Sequence, residues 1–206
     1  METLDLSDES ADSGEREKRA CSLDVALDVE GVLSDTHTAT EARSDFLEPE
    51  HCPPEQWEFP TDEHYEEFMH VSQNLWHNHA HEIPPQVDNL WKPTRKIYRR
   101  HDVDIVTHRN NVDVQMQNWL KGYNVYYDDF YATTQPKTEV GEYDVHIDDS
   151  PNVAADALSD GRYVVLVSNK SNQSVEPHRR LERVADITEA AEFLATCEIG
   201  INGLPK

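Results

Sequence analysis

The segment Leu23-Asp24-Val25-Ala26-Leu27-Asp28-Val29-Glu30-Gly31-Val32-Leu33-Ser34-Asp35 constrains this chain most, because an apolar β-type run ends abruptly in two carboxylates two residues apart. In an extended chain, side chains at i and i+2 project the same way, so Asp28 and Glu30 are expected to share one side at the strand's exit. Gly31 then lets the backbone turn sharply. Two acids held together repel, and that is tolerable chiefly when a cation sits between them or one keeps its proton.

Three later segments follow the same pattern. His101-Asp102-Val103-Asp104-Ile105-Val106-Thr107-His108-Arg109 reads as a short strand delivering a hydroxyl, and Val112, Met116, Trp119 and Leu120 have helical spacing up to an expected stop at Gly122. Gln135-Pro136-Lys137 places a lone lysine in a polar segment. Tyr143-Asp144-Val145-His146-Ile147-Asp148-Asp149-Ser150-Pro151 ends another strand in paired acids, with proline marking its turn. Taken singly, Lys137 reads as a solvated lysine, Thr107 as a helix N-cap, and Asp148 and Asp149 as an acidic first helical turn.

In this order the four segments resemble the motifs of the haloacid dehalogenase superfamily of phosphatases. From Val106 to Pro151 they look most like its 5'(3')-deoxyribonucleotidase-type branch. The resemblance covers residues 21 to 35 and 96 to 195, and Glu30 departs from the usual second aspartate. It implies an α/β fold: a Rossmann-like parallel sheet sandwiched by helices, with a small helical cap inserted after the first motif. It also implies Asp28 as nucleophile, Glu30 as acid/base, and Thr107, His108 and Lys137 as phosphate-binding groups. Asp28, Glu30, Asp148 and Asp149 are implied at a Mg²⁺ site, Glu30 through a nearby backbone carbonyl. Independently, open parallel sheets bind ligands beyond the carboxyl ends of their strands, where Asp28, Thr107 and Asp148 are expected, and Mg²⁺ favours hard oxygen ligands.

The implied reaction is phosphomonoester hydrolysis through an aspartyl phosphate, on a small phosphorylated metabolite such as a nucleoside monophosphate. Phosphotransfer to an acceptor alcohol, or a non-catalytic metal- or nucleotide-binding module, are the alternatives. Acid catalysis demands a protonated Glu30, which neighbouring carboxylates are expected to favour.

Residues 36 to 95 form the expected cap, with residues 21–35 and 96–206 as core and 1–20 as a disordered acidic leader. Tyr65, Phe68, Met69, Leu75 and Trp76 predict one amphipathic helix, broken at Pro84-Pro85, with helix again expected around Val87 to Trp91. Phe46, Tyr65 and Trp76 are candidates to cover a base, although aromatics at such spacing more often build core. His77, His79 and His81 alternate, which suggests a transition-metal face if extended and a polar hinge loop otherwise. Arg162 to Val167 reads as a buried strand, and Asp186-Ile187-Thr188-Glu189 as a capping box. Ser168 to Pro177 either lines the crevice or forms a surface loop.

Forty-one Asp and Glu against 18 Lys and Arg give a formal charge of -23, and only seven of those acids precede residue 19. This spread excess, with 7 Lys against 11 Arg, resembles halophilic proteins of a salt-loaded, archaeon-like cytoplasm. Duplex nucleic acid is excluded as a partner, since binding it needs basic side chains to neutralise phosphates. No run is long and apolar enough for a membrane. Cys21, Cys52 and Cys197 are expected to be reduced cytoplasmic thiols, and a homodimer is compatible with the chain.

Overall fold

The computed structural model describes residues 22–47 and 59–196. The expected leader at 1–20 and all three cysteines lie outside them. Six parallel strands form one sheet: β1 (Asp24–Leu27), β2 (Asp102–Thr107), β3 (Phe130–Ala132), β4 (Val145–Asp148), β5 (Tyr163–Val167) and β6 (Leu181–Val184), in spatial order β3-β2-β1-β4-β5-β6. Parallel strands need covering on both faces, which is why β5 is buried along its whole length. Strand order reverses between β1 and β4, and a crevice opens there beyond their carboxyl ends.

Among the described residues six α-helices accompany the sheet: α1 (Thr36–Glu41), α2 (Asp62–His79), α3 (Trp91–Tyr98), α4 (Asp113–Gly122), α5 (Pro151–Ser159) and α6 (Ile187–Thr196). Local chemistry sets their ends. Thr61 caps α2, and Ser150 caps α5 with Pro151 at its first position, where a missing N–H costs nothing. At α6, Asp186 accepts from the backbone N–H groups of Thr188 and Glu189, but Glu189 reaches back to Ala185 N and not to the residue at the cap itself.

Gly122 does not stop α4 but is its last residue. The left-handed residue is Asn124, with φ 53°; Asn124 N–H donates to the Lys121 carbonyl and Val125 N–H to that of Leu120, the paired bonds of a Schellman turn. Asparagine tolerates this conformation almost as glycine does, so the stop falls two residues late.

The main core runs from Val25, Leu27, Val103, Ile105 and Ile147 to Leu75, Trp76, Ile83 and Leu90 of the expected cap. Trp76 meets Trp119 edge-on with centroids 5.9 Å apart, and Trp119 Nε1–H donates to the Ile83 carbonyl at 2.9 Å. The lower half of the insertion therefore shares the sheet's core. α3 straddles residue 95 and packs against α6. Val87 to Leu90 form a turn, not helix, with Asn89 at φ 57°, and helix begins at Trp91. A second small cluster, Leu47 and Phe68 with Phe59 and Met69, belongs to the insertion alone.

His77 and His79 lie on α2, and His81 lies in the 3-10 turn Ala80–Glu82. Residues two apart on a helix point about 200° apart, so this is neither an extended metal face nor a hinge loop. His79 instead meets Glu82 at 2.9 Å, and His77 meets Gln73 at 3.3 Å.

Candidate active site

Asp28 follows the last residue of β1, and its backbone N–H donates to the Ile147 carbonyl at 3.0 Å, which locks it beside β4. From here the chain leaves extended geometry. Leu33 and Ser34 donate back to the Val29 carbonyl, and Gly31 sits at φ +80°. The two-residue alternation consequently fails, and Asp28 and Glu30 meet different partners.

Asp28 faces Lys137, whose Nζ lies 2.7 Å from Asp28 Oδ2 and 2.8 Å from Asp148 Oδ2. Lys137 opens the 3-10 turn Lys137–Glu139 and is 4% exposed, which removes its solvated reading. Asp28, Asp148 and Asp149 bring one carboxylate oxygen each within 4.8 Å of one another, the one group of three metal-competent side chains among the described residues. Asp28 Oδ1 is buried without a hydrogen-bond partner. An orphaned buried carboxylate oxygen within an all-oxygen donor set is what a hard divalent cation such as Mg²⁺ requires, so the residues fit that ion.

The electrostatics agree. Burial pushes the Asp28 carboxyl up to about 7, with Asp148 adding to the rise and Lys137 opposing it. Burial, then Asp148 and Asp28, hold Asp149 well above the usual carboxylate range. Burial alone would drive Lys137 towards its neutral form, but Asp148 and Asp28 outweigh it and keep the ammonium protonated. Three carboxylates and one ammonium leave the cluster short of positive charge.

Glu30 stands apart from this cluster. Arg109 Nε donates to Glu30 Oε2 at 2.9 Å and its NH2 to Oε1 at 3.0 Å, while Trp76 Nε1–H donates to Oε1 at 3.0 Å. Burial would raise the Glu30 carboxyl, but the Arg109 charge and hydrogen bonds, with Trp76, win and lower it. The expectation that neighbouring carboxylates keep Glu30 protonated is thus corrected: its chief neighbour is a guanidinium. Nor does its side chain join the three-acid group.

Thr107 ends β2, is buried, and accepts from the Arg109 backbone N–H at 3.2 Å; the N-cap of α4 is Val112, so Thr107 does not cap it. His108 is exposed, and its Nε2–H donates to the Gln135 carbonyl at 3.0 Å. Asp148 Oδ1 accepts from Ser150 N–H, whereas Asp149 turns inward over Gly31, where an added Cβ would lie 2.1 Å from Asp149 Oδ2. The glycine is therefore needed for close approach as well as for its turn.

Beyond Glu30 and Arg109 opens a cavity of about 640 Å³, lined also by His37, Phe59, Tyr65, Phe68, Met69 and His108. Of the aromatic candidates only Tyr65 faces it; Phe46 leans on His64, and Trp76 is buried with its indole N–H on Glu30. Burial lowers the His37 imidazole, opposed by Glu30 and Asp35. Arg109, His37 and Asn169 leave no local signal in the sequence, because the partners that define them, Glu30, Phe68 and Asp149 in turn, lie far away in the chain.

No family profile matches the sequence, and no curated protein matches it closely enough to count as a relative. Solved structures do. The chain is similar to a haloacid dehalogenase-like family hydrolase from Streptococcus pneumoniae, with a TM-score of 0.59, 10% identity, and coverage of 85% of this chain and 100% of that one. The fold is that of haloacid dehalogenase-like hydrolases. A subfamily IA hydrolase of this superfamily from Geobacter sulfurreducens gives 0.53 at 14% identity, covering 84% and 97%. L-2-haloacid dehalogenase from Xanthobacter autotrophicus gives 0.51 at 10% identity, covering 85% and 99%. Such likeness establishes the haloacid dehalogenase-like fold, and the chemistry rests on the site.

Proposed function

We propose that this chain is a Mg²⁺-dependent phosphomonoester hydrolase that works through an aspartyl phosphate and takes nucleoside monophosphates as substrates. The supporting observation is Asp28 Oδ1, buried and unpartnered on a carboxylate that groups with Asp148 and Asp149 while Lys137 holds its other oxygen. When bound, Mg²⁺ offsets the negative charge of carboxylate and phosphate. Asp28 attacks phosphorus as the ester P–O bond breaks, and Lys137 and the Thr107 hydroxyl and amide hold phosphoryl oxygens. Arrival of a phosphoryl dianion beside Glu30 raises that carboxyl against the pull of Arg109, so it takes up a proton and passes it to the departing alcohol. Glu30, ionised again, accepts a proton from the water that attacks the acyl phosphate and returns Asp28 to its carboxylate.

The cavity beyond Glu30 supports the substrate class. It adjoins Glu30, the acid of this proposal, and Phe59, Tyr65 and Phe68 offer ring faces for a base. Carbon–halogen hydrolysis, the chemistry in the name of the Xanthobacter neighbour, can also use a carboxylate nucleophile, but a cluster of three acids gives a halide leaving group no assistance. A screen of mononucleotides, sugar phosphates, amino-acid phosphates and 2-halo acids in high KCl with Mg²⁺, using Asp28→Asn as blank, tests the reading. Phosphate release that is equal in both proteins removes Asp28 as nucleophile. Halide release without phosphate release replaces the reaction.

A further inference from the structure

We infer that Asn169 is a positioning residue that aims the carboxylate of Asp149 at the divalent cation. Asn169 follows β5, on a segment that reads equally as crevice wall or surface loop. Its Nδ2 donates to Asp149 Oδ2 at 2.9 Å. The amide cannot be turned round, since Asn169 Oδ1 already accepts from the backbone N–H groups of Ser171 at 2.9 Å and Asn172 at 3.1 Å. With Oδ1 committed to two donors, Nδ2 is the atom that faces the acid.

The support is anchored on two further strands. Asn172, fully buried, donates through Nδ2 to the Asp149 carbonyl at 2.9 Å and the Val167 carbonyl at 2.7 Å, which ties the ends of β4 and β5 together. Arg183 on β6 grips Asn172 through its Oδ1 and its carbonyl, at 2.9 and 3.0 Å. A chain of hydrogen bonds thus runs from β6 to the acid cluster. Among the described residues Lys137 pairs with Asp28 and Asp148, whereas Asp149, which lies over Gly31, takes its side-chain hydrogen bond from Asn169. A neutral amide fixes one oxygen of Asp149 without competing, as a second ammonium would, for the charge that attracts a cation. Partners of this kind typically change metal affinity by about 10–100-fold.

The inference rests on the reading of Asp28, Asp148 and Asp149 as a cation site, so the test reads binding directly. Mg²⁺ and Mn²⁺ are titrated calorimetrically into the full chain without substrate. Asn169→Ser keeps an oxygen to cap the 3-10 turn Lys170–Asn172 but cannot reach Asp149, and is expected to weaken binding by about 10-fold or more. Combined with Asp149→Asn, it is expected to add little further loss, because both changes remove one interaction. Wild-type affinity in Asn169→Ser overturns the inference while leaving the cation site intact. Losses that multiply in the double variant mark a general structural role and overturn it too. A wild-type chain that binds neither ion removes the cation site, and the inference falls with it.

Discussion

Asp28 and Glu30 are separated by one residue, yet the regions around them treat a carboxylate in opposite ways. On the Asp28 side, burial and a second acid push the carboxyl up to about 7, and a single ammonium is shared between two acids. On the Glu30 side, one guanidinium and one indole N–H serve one carboxylate, which is held ionised. The first region is starved of positive charge and the second is satisfied. A protein-only cluster of the first kind is costly unless a ligand completes it, whereas a bidentate arginine pair is complete by itself. The difference teaches where the chain leaves room for an ion and where it does not.

The largest expected effect breaks the starved side at its reacting atom. Asp28→Asn keeps the shape of the side chain but removes its nucleophile, and ester hydrolysis is expected to fall on the order of 10⁴-fold or more, read as kcat with saturating Mg²⁺. A residual rate near wild type would move the chemistry elsewhere.

Gly31→Ala attacks the same side through sterics. The new Cβ would meet Asp149 Oδ2 at 2.1 Å, and φ +80° is strained for any residue with a Cβ. Mg²⁺ affinity is expected to drop by about 100-fold, with a stability loss on the order of 1–3 kcal/mol. Glu30 pairs with Arg109 and Trp76 and should be spared, so the alkaline limb of the pH-rate profile should stay in place.

Arg109→Met reverses that experiment. It strips the satisfied side of its cation and leaves Glu30 paired only by Trp76, which is expected to cost on the order of 3 kcal/mol near neutral pH. Because Arg109 lowers the Glu30 carboxyl in the fold, the stability it supplies is present above the unfolded value of 4.5 and disappears as pH falls below it. Urea unfolding should therefore separate variant and wild type widely near pH 7 and little under acid conditions. In the rate profile the alkaline limb, where the proton donor Glu30 is lost, should move to higher pH, and a fixed limb would show that Glu30 does not titrate in turnover.

What was legible in the sequence follows from how local each signal is. β1 and β4 could be read because apolar runs end in acids, β2 because its run delivers a hydroxyl, β5 because its run is continuously apolar, and α2 because Phe68, Leu75 and Trp76 repeat at helical spacing. The acid-lysine cluster was readable only as an ordered set of motifs. Arg109 contacts Glu30 across 79 positions, and Asn169 contacts Asp149 across 20, so neither partnership leaves a local trace. β3 has three residues and β6 carries Glu182 and Arg183 at an edge, too short or too polar to stand out. The histidine series was misleading because alternation means one face only in extended chain, and here the chain is helical.

His146 offers a smaller test, since it lies on β4 two residues before the starved cluster but is buried as a neutral ring. Burial lowers its imidazole from 6.5 to about 4. A histidine depressed in the fold contributes stability that is fully present above the unfolded value and is lost as pH falls from 6.5 towards 4, on the order of 3 kcal/mol in all. His146→Phe is expected to flatten the stability profile in that window, measured as urea midpoints. An unchanged slope would assign acid sensitivity to other groups.

Salt gives the gentlest way to separate screened charge from buried charge. Most of the formal charge of -23 is spread along the chain, and its self-repulsion should fade as the Debye length shrinks from about 10 Å to ~3 Å between about 0.1 M and molar KCl. The thermal midpoint is expected to rise over that range, by about 2–4 °C for each kcal/mol of repulsion relieved. Arg109 is 6% exposed at its side chain, so its pairing with Glu30 is shielded from ions, and the gap between wild type and Arg109→Met should stay nearly constant as both midpoints climb. A flat wild-type midpoint would end the halophilic reading of the composition. A gap that closes in salt would mean the Glu30 side is wet, and the contrast with Asp28 would then be one of solvent access and not of partner count.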